Sequence, residues 1–201
     1  QNKVLRNTYM MLALTMLPTI VGAFVGLSTN FSFMAEHPIM APLLMFGVMM
    51  GMLFAVSALR NSVWGIAMLL GFTFVAGWFL GPILQHALHL RNGAQLVGMA
   101  AGGTGLIFFS LATIATVTKK DFSFMGGFLT VGIFVLLGFM VGTFFFQAPA
   151  FQMAVTVGGL LLFALFVLYD TSRIMLRLDS SEWVAGALSL FIDFINMFIR
   201  I

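Results

Sequence analysis

The chain has no cysteine, and Asp, Glu, Lys and Arg together make up only 7% of its 201 residues. Without thiols there is no disulfide, no thiolate nucleophile and no cysteine-based metal site. Charge this scarce excludes an ordinary soluble domain, in which about a quarter of the residues are charged. The nine Lys and Arg residues are scattered between apolar blocks. The net charge of +3 and isoelectric point of 9.8 therefore describe no nucleic-acid surface. Also missing are a Gly-x-Ser-x-Gly elbow, a His-Glu-x-x-His pair, a Walker loop and a dinucleotide fingerprint, so nothing supports an enzyme. His86 and His89 are three apart with no carboxylate nearby in sequence, and a two-histidine metal site would be weak. The last apolar run contains no Lys, which excludes a retinal Schiff base of the rhodopsin type.

What is present is hydrocarbon. Apolar residues make up 61% of the chain and mean hydropathy is +1.11. Polar breaks divide it into apolar runs over 8–27, 39–59, 63–84, 94–117, 124–146, 151–178 and 184–201. At roughly 20 residues per spanning helix, these runs predict seven transmembrane helices in a single all-α membrane domain, 1–201. They are continuous and lack the alternation of barrel strands. The chain begins at Gln1 and not at Met, which points to residues ahead of it. Its first run is too long for a signal peptide and lacks a small-x-small cleavage site, so it reads as a span.

Basic residues in short loops set the predicted orientation. An inside N-terminus places Lys3, Arg6, Arg60, Lys119, Lys120, Arg173 and Arg177 in the cytoplasm and leaves Arg91 and Arg200 outside. The C-terminus is then outside. Glycines spaced by four at Gly22/Gly26, Gly47/Gly51, Gly77/Gly81, Gly98/Gly102 and Gly138/Gly142 permit close helix packing. The tetrapeptide Phe-Ser-Phe-Met occurs at 31–34 and again at 122–125. In a chain this rich in Phe and Met it implies no repeat.

The chemistry is in the last third, where Asp170 and Asp193 sit inside runs that otherwise read as membrane helix. A carboxylate at that depth costs a few kcal/mol unless it faces protein or water. Gly186, Ser189, Asp193, Asn196 and Arg200 follow spacings of three, four, three and four, which puts them on one face of the seventh helix. Asp179-Ser180-Ser181-Glu182 fits a capping box that starts it. If helix six runs to Leu178, the two aspartates are offset by about 7 Å along the helices, which tilt or an asymmetric loop must close. If the two carboxylates meet in a dry site they cannot both ionise cheaply, so one proton is shared and the pair senses pH. Arg60, at the end of helix two, is the candidate gating cation. Arg173 and Arg177 are local ion-pair candidates, and Ser189 and Asn196 are secondary polar lining. An ion pair with Arg173 alone, or a bond from Asp193 to Ser189 or Asn196, would make the aspartates merely structural.

Seven spans, Tyr169-Asp170-Thr171 and the run from Ala187 to Asn196 resemble the Bax inhibitor-1 (TMBIM) family over essentially the whole chain. The segments Lys3 to Tyr9, Gly81-Pro82-Ile83-Leu84, Gly102-Gly103-Thr104 and Lys120 to Gly127 look like its bacterial YccA-like branch. The resemblance implies six helices surrounding a central seventh in a bacterial inner membrane. It implies a pH-dependent calcium leak where both aspartates are kept, and modulation of the FtsH membrane protease in the YccA-like branch. Asp170 and Asp193 match the family's paired aspartates, although YccA itself does not keep that pair. The expected ligands are Ca²⁺, as a transported ion weakly held by Asp170 and Asp193, and protons. No tightly bound cofactor is expected, and the partners are the lipid bilayer and an FtsH-type protease. A proton-coupled transporter lacks the paired half-helix signature of that class.

Overall fold

The computed structural model describes residues 2–179 and 181–201. Among them are seven helices long and apolar enough to cross a membrane, and no strands. The helices are α1 (Asn2–Ser28), α2 (Ser32–Glu36), α3 (Met40–Leu59), α4 (Val63–Phe79), α5 (Gly81–Leu88), α6 (Gly93–Thr118), α7 (Gly126–Gly142), α8 (Pro149–Arg177) and α9 (Trp183–Arg200). With no water in the hydrocarbon layer, each span must satisfy its backbone polar groups internally, and the helix does so.

Three boundaries differ from the hydropathy pattern, each for a local reason. α1 begins six residues before its apolar run, because the polar 2–7 segment simply continues the helix. The third run is two helices in succession, α4 and α5, broken where Pro82 lacks an amide N–H and starts a new turn instead. α7 stops at Gly142 although Phe144, Phe145 and Phe146 are as apolar as what precedes them. The amides of Phe144 and Phe145 bond instead to the carbonyls of Val141 and Gly142 in tight turns, at 3.2 and 3.0 Å.

The chain divides into two compact units, one of 3–98 with 179–188, the other containing 99–178 and 189–201. In the first unit α1 and α4 approach until their backbones touch. A Cβ on Gly22 would collide with the Phe74 carbonyl oxygen, and one on Gly77 with that of Thr19. These are two of the five glycine pairs the sequence shows, meeting each other. Gly47, Gly51, Gly98, Gly102 and Gly138 meet nothing. Gln85 donates to the carbonyls of Gly26 and Thr29, both at 2.9 Å, and so ties α5 to the C-terminal end of α1. Trp78 is held inside the unit by its indole N–H, 2.9 Å from the Thr29 hydroxyl.

In the second unit α7 packs on α8, with Leu162 against Gly132 and Phe139 edge-on to Phe151 at 6.0 Å. Phe108 of α6 meets Phe194 of α9 edge-on at 5.5 Å. Ser172 of α8 accepts from the Phe122 amide at 3.0 Å and donates to the Lys120 carbonyl at 3.1 Å, pinning the loop that follows α6. Among the described residues α9 is the most enclosed of the spans.

The two Phe-Ser-Phe-Met copies fold alike. In each, the serine amide donates at 2.9 Å to the side chain two residues before it, Asn30 in one case and Asp121 in the other, and a helical turn follows. The similarity is one of local turn chemistry, in which a short Asx side chain takes the place of a backbone acceptor.

Candidate functional site

Asp170 lies two turns before the end of α8 and Asp193 almost three turns after the start of α9. The offset along the helices is thus about 4–5 Å at 1.5 Å per residue, smaller than the sequence suggested. The difference comes from where the two helices end and begin, at Arg177 and Trp183. Both aspartates belong to the second unit. Asp170 is 7% exposed and Asp193 only 2%, and their carboxyl groups are within hydrogen-bonding reach of each other.

Around them the chain is largely apolar. Val167, Ile174, Leu190, Phe191 and Met197 are all buried. Thr171, next to Asp170, buries a hydroxyl that has no hydrogen-bond partner, and Asp193 Oδ2 has none either. A buried polar atom without a partner costs about 1–3 kcal/mol, so such atoms are uncommon where only stability is at stake. On α9, Asn196 donates to the Ile192 carbonyl at 2.8 Å and not to Asp193. Ser189 is half-buried one turn before Asp193.

The cations are distributed differently from the sequence expectation. Arg173 pairs with Asp170 across three residues of α8, Nη1 to Oδ1 3.8 Å. That is an ion pair without a hydrogen bond, since charge-assisted contacts close to about 2.7–2.9 Å. Arg177 turns instead to Asp121, at 3.2 Å. Arg60, at the C-terminal end of α3, pairs with Glu182 at 3.6 Å. Glu182 also accepts the Asp179 backbone N–H at 3.3 Å, which is the acidic half of the capping box before α9. Ser180 lies outside the described residues. The sequence carried Glu182 as a cap and missed its second role as the acid that Arg60 meets.

Asp121, in the exposed loop before α7, is held below the usual carboxylate range, first by the Ser123 hydroxyl, then by the Ser123 amide, with Arg177 adding to it. Among the described residues no three His, Cys, Asp or Glu side chains gather as a metal site.

A family model described as inhibitor of apoptosis-promoting Bax1 matches residues 1–201. The chain is 36% identical over 198 residues to an uncharacterized protein of Pseudomonas aeruginosa, covering 98% of this chain and 86% of that protein. It is 34% identical over 200 residues to Escherichia coli YccA, covering 100% of this chain and 88% of the relative. YccA is named a modulator of FtsH protease in one strain and an inner membrane protein in another.

Proposed function

The chain belongs to the Bax inhibitor-1 family, and from that premise we propose that it is a pH-sensitive calcium leak of a bacterial inner membrane, gated by Asp170 and Asp193. The observation that carries this reading is the pair itself: two buried carboxyl groups within reach of each other inside membrane-spanning helices. Carboxylate oxygens are what Ca²⁺ prefers, and protons compete for the same atoms. A weak site suits a pathway, because an ion that is to pass through must also leave. The N-terminus is cytoplasmic and the C-terminus outside, on the loop-charge argument. Arg60, the gating cation expected from the sequence, pairs with Glu182. Arg173 is the local counter-charge for Asp170. The test is Ca²⁺ flux in liposomes across the pH range. Flux in an Asp193→Asn variant that is unchanged from the parent at every pH would remove the basis of the proposal.

A second reading is favoured by the relative's name. YccA is a modulator of FtsH protease, and this chain would act on a membrane protease of the same type. Copurification from native membranes tests it: no protease recovered with the chain would argue against that role. The two readings are compatible, since an ion-sensitive conformation can regulate a partner.

A further inference from the structure

Toward the other end of α8 from Asp170, about 17 Å along the helix at 1.5 Å per residue, Arg200 is half-buried without an acid. Its guanidinium lies on the bare backbone of Gly159, where a Cβ would come within 2.5 Å of both Cζ and Nη1. It stands 5.8 Å from the Phe163 ring centre. Nη1 is 3.5 Å from the Val155 carbonyl and Nη2 3.5 Å from the Met140 sulfur, a long contact and a weak acceptor. Nε is buried and bonded to nothing. No carboxylate among the described residues pairs with it. Five donors fixed in a fork, with no strong acceptor, suit an oxyanion that binds two of them at once.

Arg200 opens onto a cavity of about 710 Å³ between α7 and α8. Gln147, Gln152 and Thr156 bring amide and hydroxyl groups to it, Leu137 and Val141 give it an apolar wall, and no acidic residue lines it. Beside it, in the loop between α7 and α8, Phe144, Phe145 and Phe146 are 72%, 78% and 65% exposed. Three successive exposed aromatics where two spans end suit the boundary between headgroups and acyl chains. A cation, neutral donors and an apolar wall thus line one cavity, with exposed aromatics beside it, which are the groups a phospholipid's phosphate, headgroup and acyl chain require. We propose that this cavity is a binding site for an anionic phospholipid, with its phosphate on Arg200, its headgroup hydroxyls on Gln147, Gln152 and Thr156, and an acyl chain along Leu137 and Val141.

The experiment is native mass spectrometry of the purified chain released from micelles that carry phosphatidylglycerol, phosphatidylcholine or inorganic phosphate. The parent is expected to retain phosphatidylglycerol at least about fivefold over phosphatidylcholine, the scale of one basic residue near an anionic surface. Arg200→Gln is expected to lose that preference with an unchanged thermal midpoint. Thr156→Val and Gln152→Leu, which leave Arg200 in place, are expected to weaken retention about two- to threefold, and they carry the test if Arg200→Gln does not fold. A parent without preference, an Arg200→Gln variant that keeps it, or Thr156→Val and Gln152→Leu variants that both retain lipid fully would overturn the proposal. Inorganic phosphate bound where phosphatidylglycerol cannot displace it would overturn the lipid assignment in favour of a soluble anion.

Discussion

Asp170 and Asp193 bring their carboxyl groups within hydrogen-bonding reach of each other inside the last two membrane-spanning helices. Arg173 faces only the first of them, and Asp193 Oδ2 is bonded to nothing. Two carboxyl groups with one distant cation leave room for either a proton or a mobile cation, and on the proposed function that competition is the gate.

Ca²⁺ binding is therefore expected to weaken as pH falls, because protons occupy the oxygens that the ion needs. Calorimetric titration of the purified chain should show affinity dropping by up to about tenfold per pH unit where a proton is displaced. Asp193→Asn should abolish both the binding and its pH dependence. Affinity independent of pH in the parent would place Ca²⁺ elsewhere.

The glycine contacts separate packing from coincidence. Gly22→Ala and Gly77→Ala are expected to lower stability by about 1–3 kcal/mol, the usual cost of forcing extra volume into a packed contact. Gly47→Ala and Gly98→Ala, where a Cβ meets nothing, should be neutral or slightly stabilising. Thermal midpoints in detergent check all four, and equal effects would contradict the α1–α4 contact.

How much of this was legible depended on the range of the interaction. Seven spans followed from hydropathy because lipid demands continuous apolar helix. Asp170 and Asp193 stood out because charge is so rare in those runs. That Gly22/Gly26 and Gly77/Gly81 pack while Gly47/Gly51 does not was illegible, since all five spacings look alike until neighbours are known. Arg60 was assigned to the aspartates because it was the nearest spare cation in the predicted topology, whereas its ion pair is with Glu182, which the sequence had already used as a cap. The end of α7 is not legible in hydropathy, because Phe144 to Phe146 are as apolar as the helix before them and only their turn-type bonds end it.

Glu182 has two separable tasks. Glu182→Gln keeps an oxygen for the Asp179 amide but loses the charge that faces Arg60. It should cost roughly 0.5 kcal/mol, as expected for a partly exposed pair. Glu182→Ala loses both and should cost about 1 kcal/mol more, the scale of a lost helix cap. A double-mutant cycle with Arg60→Ala reads the ion pair alone, and no coupling would mean that Arg60 does not hold α9.

Asp121 offers a pH test away from the membrane core. Its carboxylate is held low by Ser123 and then Arg177. Its contribution to stability is thus fully present above the unfolded-state value of about 3.9 and is lost as pH falls through the lower folded-state value. Ser123→Ala is expected to move its carboxyl titration, followed by NMR, upward toward the ordinary value. No movement would mean that the Ser123 bonds are not what lowers it.

The central claim meets its most direct test in Ca²⁺ entry into liposomes holding the purified chain, with pH stepped between about 5 and 8 on one vesicle population. The account predicts entry above that of empty liposomes, changing reversibly with each step, and a response that Asp170→Asn and Asp193→Asn each flatten. Entry equal to that of empty liposomes at every pH would contradict it and leave the aspartate pair as structure alone.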